Sequence, residues 1–351
     1  MALRSRLAKG LIKFIGPLLF LFLLLKAVNP RVAWEVFSRI RFDFVSLSLA
    51  FFPGIVWAHA LRWWLTGRLV GMNVSLWRLF RVYYVGWFLG FLPPGGVAMV
   101  AKVLYLKEDG EPAGRASVSL LVDKFFDLIG TALLGLYGLF YFHETASKGS
   151  GLWLALGTGI LLLALAAVRG KWLWGKARRA LGKYVKRTGR GPLELLKGSN
   201  SAMGDLWEKV NLRRFLTLVF ISLSLELAKG VVFIVLGMAL GVGMSIPFAL
   251  ACRALIGLVS IIPVTIGGLG TREAVLLLTL PVAGFSRESA MALGFLSFLW
   301  NIAFHFSGVV FWLLEPVPYR SLLQFKRVGP GPCEKGRNQG LNRESLFGPG
   351  K

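Results

Sequence analysis

Apolar residues in this chain gather into runs on the scale of a bilayer. Residues 16–25, 152–168, 215–241 and 289–314 are apolar for much or all of the roughly 17–25 residues that a spanning helix requires. Hydrocarbon offers no partner to an unpaired backbone N–H, so a crossing segment is either a helix or a strand of a closed barrel. These runs lack the period-two alternation of barrel strands, which leaves helices. The composition agrees: 55% of the 351 residues are hydrophobic and only 17% are charged. The expected fold class is therefore all-α, a polytopic transmembrane helical bundle of about eight spans, at residues 11–28, 44–65, 76–92, 117–142, 152–168, 215–241, 246–262 and 289–314. Two further pieces, 93–110 and 263–284, are interrupted by glycine and proline and read as re-entrant segments, one in each half.

A formal charge of +24 would suggest nucleic acid in a soluble protein, so its placement matters. Residues 169–214 hold 13 Lys/Arg against three acids, the tail 319–351 holds seven against two, and the first 13 residues hold four against none. All three flank or link apolar runs, as the positive-inside bias requires, and they attract anionic lipid rather than nucleic acid. The chain divides into a membrane domain over 1–318, with the basic amphipathic loop 169–214, and a basic Gly/Pro-rich tail over 319–351 expected to be disordered. The expected location is the cell (inner or cytoplasmic) membrane, multi-pass. Counting every apolar run as a simple crossing places the N-terminus and the basic loop on opposite sides, against the charge bias.

Ionisable side chains inside a span cost about 2.5–3.5 kcal/mol each, so those that persist pair or face a cavity. Asp123, Lys124 and Asp127 interrupt one apolar helix, with Asp123 and Asp127 on a shared face and Lys124 within reach of Asp127. That cluster is negative by one charge and calls for a further cation. Pro263 and the glycines Gly267, Gly268 and Gly270 precede Thr271, Arg272 and Glu273, where Thr271 is placed to cap a helix. A guanidinium beside a helix N-terminus suits a phosphate, while a tight turn held by an Arg–Glu pair is the plainer alternative. Pro93-Pro94-Gly95-Gly96 leads similarly to Lys102, at nearly the spacing of Pro263 to Arg272. Such paired interruptions point to a binding site at a repeat interface. Glu226, Lys229 and Arg253 read as a pair locking two helices.

With these residues in place the chain resembles the lysylphosphatidylglycerol synthase transmembrane-region family, also called flippase-like domain proteins. Pro-Gly-Gly with a following basic residue, Ser-Leu-Leu-Val-Asp123-Lys124-Phe-Phe-Asp127, and Gly-Gly-Leu-Gly-Thr-Arg272-Glu273-Ala carry the likeness across roughly residues 10–315. The resemblance implies a bundle that moves or handles anionic lipid or lipid-linked head groups, in a stand-alone form without the aminoacyl-transferase domain. It implies Lys102, Asp123, Lys124, Asp127, Gly267, Gly268, Gly270, Arg272 and Glu273 as head-group contacts. Met99 and Asn301 stand where the family often has Asp and Arg.

The expected partners are membrane lipids with anionic head groups, with a second copy or an envelope-pathway protein as further candidates. No catalytic residue, metal ligand or cofactor is nominated, because His59, His143 and His305 are scattered and His143-Glu144 lacks the second His of a zinc motif. No phosphate-binding loop for ATP occurs. The alternatives are an intramembrane transferase or accessory factor acting on a lipid-linked (polyprenol or phospholipid) substrate, with Asp123 or Glu273 as base, and an assembly or scaffold protein docked through 169–214.

Overall fold

The structure, a computed structural model, describes residues 35, 38, 40–91, 97–145, 199–260 and 270–316. The expectations for residues 11–28 and 152–168, for most of the basic loop, for Gly267 and Gly268 and for the tail lie outside these residues. Those described form helices and turns: α1 Phe42–Leu69, α2 Leu76–Phe91, α3 Val97–Glu108, α4 Ala113–Thr145, α5 Ser199–Lys209, α6 Leu212–Ala239, α7 Ile246–Ser260, α8 Thr271–Thr279, a 3-10 turn Leu280–Ala283, α9 Arg287–Phe306 and α10 Val309–Leu314. The chain is an all-α membrane bundle.

Among the described residues four segments are long and apolar enough to cross: α1, α4, α6 and the α9–α10 unit Arg287–Leu314. A 28-residue helix such as α1 or α6 is about 42 Å long and exceeds a hydrocarbon core of about 30 Å. Their outward faces are apolar, with Phe140 on α4, Phe220 on α6 and Leu313 on α10 all exposed. In water that surface would be a liability, and in lipid it is the solvent-facing side. Asn211 caps α6 by accepting from Arg214 N–H at 2.9 Å, and Ser286 caps α9 by accepting from Ser289 N–H at 3.1 Å.

The interrupted segments behave differently. Arg78 Nε at the start of α2 lies 2.8 Å from Asp109 Oδ2 beyond the end of α3, and Gly86 on α2 sits against the Lys102 side chain on α3. The two helices therefore run antiparallel as a hairpin. With 16 residues, α2 is about 24 Å long, too short to cross. Helix α7 has 15 residues and pairs with α8, as Cys252 meets Thr279. Among the described residues α2–α3 and α7–α8 are thus hairpins of short helices, with α2 and α7 as their first arms instead of long spans.

The ends of the bundle differ in charge. At one end Arg41 N–H donates to the Ala239 carbonyl at 2.9 Å, and Phe248 meets Phe285 at the base of the second hairpin. At the other, Arg115 reaches Gly71, and Arg78 and Arg81 both bind Glu315. That second end also carries Arg68, Lys107, Arg213 and Arg214. The described part of the basic loop meets this positive end, as a Cβ on Gly71 would stand 3.0 Å from Asp205 Oδ2, which fits the positive-inside bias.

Candidate head-group cavity

Glycines let α4 approach its neighbours closely. A Cβ on Gly130 would stand 2.9 Å from the Ser222 carbonyl oxygen on α6, and one on Gly138 would stand 2.8 Å from the Ala251 carbonyl oxygen on α7. Behind this contact a buried polar network joins four helices. Arg62 on α1 is fully buried and donates from Nε to Asp123 Oδ1 at 2.8 Å, from Nη2 to Asp127 Oδ1 at 3.1 Å and from Nη1 to Ser222 Oγ at 3.1 Å. Tyr83 on α2 donates to Asp123 Oδ2 at 3.3 Å. Arg62 is the further cation that the Asp123–Lys124–Asp127 cluster required. A guanidinium is the side chain that bridges two carboxylates and a hydroxyl at once.

In front of the network lies a cavity of about 780 Å³, within the usual range of ligand sites. Its charged and polar lining comes from Lys124 and Asp127 on α4, Glu226 and Lys229 on α6, Arg253 on α7, Arg272 on α8, and Ser297 and Asn301 on α9. These positions fall near the middle of α4, α6 and α9. Lys124 Nζ lies 3.1 Å from Asp127 Oδ2. Lys229 Nζ lies 2.7 Å from Glu226 Oε1, and Arg253 Nη2 lies 3.7 Å from Glu226 Oε2. The lining thus holds four cations and two carboxylates; Asp127 is also held by Arg62, and Arg272 has the buried Glu273 beside it. The lining keeps an excess of positive charge.

Aromatic rings also line the cavity. Trp300 and Phe304 stack at 5.2 Å with planes 7° apart, and Trp87 meets Phe304 at 4.4 Å. Among the described residues the Ser297 hydroxyl and the Trp300 indole N–H beside them have no hydrogen-bond partner.

The sequence-predicted residues divide in three. Lys124, Asp127 and Arg272 come together on the cavity wall, though they are far apart in the chain. Asp123 and Lys102 are buried behind it, 1% and 5% exposed. Glu273 is wholly buried and turns back to accept the Gly270 N–H at 2.5 Å. The expected cap is corrected: α8 begins at Thr271 itself, Gly270 takes the N-cap with φ 88°, and the Glu273 carboxylate binds back to the N–H of that N-cap residue. The Glu226–Lys229–Arg253 group pairs as its spacing suggested, yet it also lines the cavity. Arg62 was missed altogether.

The set of membrane-buried ions, a mid-span cavity and two interrupted hairpins can be set beside known families. Residues 7–306 match the family described as lysylphosphatidylglycerol synthase TM region. The chain belongs to that family. The match takes in every described helix up to the end of α9, so the whole cavity is made of family-domain residues. Asn301, where the family often has Arg, lines the cavity as a neutral amide, and Met99 is 42% exposed on α3, away from it. Neither the curated proteins nor the solved structures give a match to the chain.

Proposed function

We propose that this protein translocates lipids with anionic head groups, and that the head group passes through the cavity between α4, α6, α7, α8 and α9. The observation that carries this reading is the gathering of Lys124, Lys229, Arg253 and Arg272 on one cavity wall whose lining holds two carboxylates, Asp127 and Glu226, at mid-span depth. A phosphate enters hydrocarbon only when protein groups replace its water. Charge-assisted hydrogen bonds from guanidinium and ammonium groups supply that replacement. The paired carboxylates keep the cations in place between passages and stop the cavity from binding its cargo too tightly to release it.

The positive end of the bundle is the cytoplasmic side in this reading, where the basic segments meet anionic lipid and raise its local concentration. Binding is tested by adding short-chain phosphatidylglycerol or phosphatidylcholine to the purified protein and following thermal unfolding. A ligand at one hundred times its Kd stabilises the folded state by about 2.7 kcal/mol, so phosphatidylglycerol is expected to raise the midpoint by several degrees. Phosphatidylcholine is expected to do so much less, and Arg253→Ala to shrink the difference. Equal shifts for the two lipids would count against an anion-selective cavity.

A further inference from the structure

The two halves of the chain are one design used twice. Helices α1 and α6 each have 28 residues and begin 170 residues apart, at Phe42 and Leu212. Each closes on a positive-φ glycine, Gly71 and Gly241, again 170 apart. The carbonyls of Ser75 and Ser245 then accept the first bonds of α2 and α7, from Leu79 and Ala249. The same register lays Pro93 on Pro263 and Lys102 on Arg272. After the hairpins, Gly110 and Gly284 turn the chain into α4 and α9, which begin at Ala113 and Arg287, both pairs 174 apart.

The hairpins enter from opposite ends. The base of the first lies with Glu315 at the positive end, and the base of the second lies with Phe285 at the end marked by Arg41 and Ala239. Lys102 and Arg272 are therefore repeat mates on opposed hairpins, yet their surroundings differ. Arg272 faces the open cavity. Lys102 is 5% exposed, with Nζ 3.5 Å from the Tyr83 ring centroid and 5.4 Å from that of Trp63. Its stem lies along α2, where a Cβ on Gly86 would collide with Lys102 Cγ at 2.8 Å. Among the described residues no carboxylate or hydrogen-bond acceptor meets its ammonium. The nearby Asp123 is held by Arg62 and Tyr83. Ring faces are a weak substitute for a counter-ion around a buried ammonium, so the Lys102 ammonium is suited to receive negative charge.

We infer that Lys102 is a second phosphate-binding station on the same path, occluded in this state and reached from the membrane side opposite to that which serves Arg272. The inference rests on the head-group reading of the cavity. When the Arg272 half closes, the Lys102 half opens, as exchange between inverted repeats requires. The aromatic faces of Tyr83 and Trp63 hold the amine until a phosphate takes it over.

The test uses full-length protein in liposomes, with Cys252 and Cys333 replaced by alanine. Single Lys102→Cys and Arg272→Cys variants are exposed to a membrane-impermeant anionic thiol reagent from either side. Labelling of the two positions is expected from opposite sides, at least tenfold slower at position 102. Acyl-chain-labelled phosphatidylglycerol movement is measured in parallel for wild type, Lys102→Met and Lys102→Arg. Met preserves the packing volume but not the charge, so it is expected to slow movement at least tenfold, whereas Arg, the residue of the repeat mate, retains most of it. Labelling of both positions from one side, no labelling at position 102, or a Lys102→Met variant as fast as an active wild type would overturn the second station. A wild type that moves no lipid would instead overturn the translocation reading, and the labelling pattern would still decide whether position 102 becomes accessible from the opposite side.

Discussion

Replacing Arg62 with leucine is expected to cost about 3–5 kcal/mol of stability, because it leaves a carboxylate buried with no cation. Asp123 is 1% exposed and receives its closest hydrogen bond, 2.8 Å, from Arg62 Nε. The Tyr83 hydroxyl at 3.3 Å is a neutral donor and cannot replace that charge. Asp127 keeps Lys124 at 3.1 Å, so the loss falls mainly on Asp123, and with it on the junction of α1, α4 and α6. Since the penalty is that of an orphaned charge, the double variant Arg62→Leu/Asp123→Leu is expected to recover most of it. Thermal unfolding of the purified single and double variants reads both effects. A single variant as stable as wild type, or a double variant no better than the single, would show that the network is not what ties these helices together.

The second large effect is functional. Arg272→Ala removes the guanidinium that the second hairpin presents to the cavity, while the Glu273–Gly270 bond that starts α8 remains. A hydrogen bond to a charged group contributes about 1.5–3 kcal/mol, so lipid movement is expected to fall by one to two powers of ten with little change in unfolding temperature. Lysine at this position keeps the charge but loses the fork that grips two phosphate oxygens, and is expected to fall between the two. A variant that is destabilised and slowed in proportion would assign Arg272 to packing instead.

The pattern of what was legible in the sequence follows from the range of each signal. Span length and apolarity are local, so α1, α4, α6 and α9 could be read directly from the runs at 44–65, 117–142, 215–241 and 289–314. The pairs Lys124–Asp127 and Glu226–Lys229 are also local, three residues apart on one helix face. Arg62 carries no such signal, because its carboxylates lie 61 and 65 residues away. The unbalanced negative charge of the Asp123 cluster was the one clue that a cation had to arrive from elsewhere. Glycine and proline showed where the helices break, but not that α2 folds back along α3, since that depends on Gly86 accepting the Lys102 stem. The repeat was visible only as similar Pro-to-cation spacings. The helix boundaries were needed to show that one register carries α1 onto α6 and Lys102 onto Arg272.

The cavity's role is tested most directly by lipid movement in liposomes carrying the wild-type protein. Fluorescent phosphatidylglycerol and phosphatidylcholine, each labelled on an acyl chain, are quenched from outside by an impermeant reductant. The account predicts that quenching of phosphatidylglycerol passes well beyond the outer-leaflet fraction, that phosphatidylcholine lags behind it, and that Arg272→Ala abolishes the difference. Phosphatidylglycerol quenched only to the level of protein-free liposomes, or both lipids moved equally by wild type and by Arg272→Ala, would contradict it.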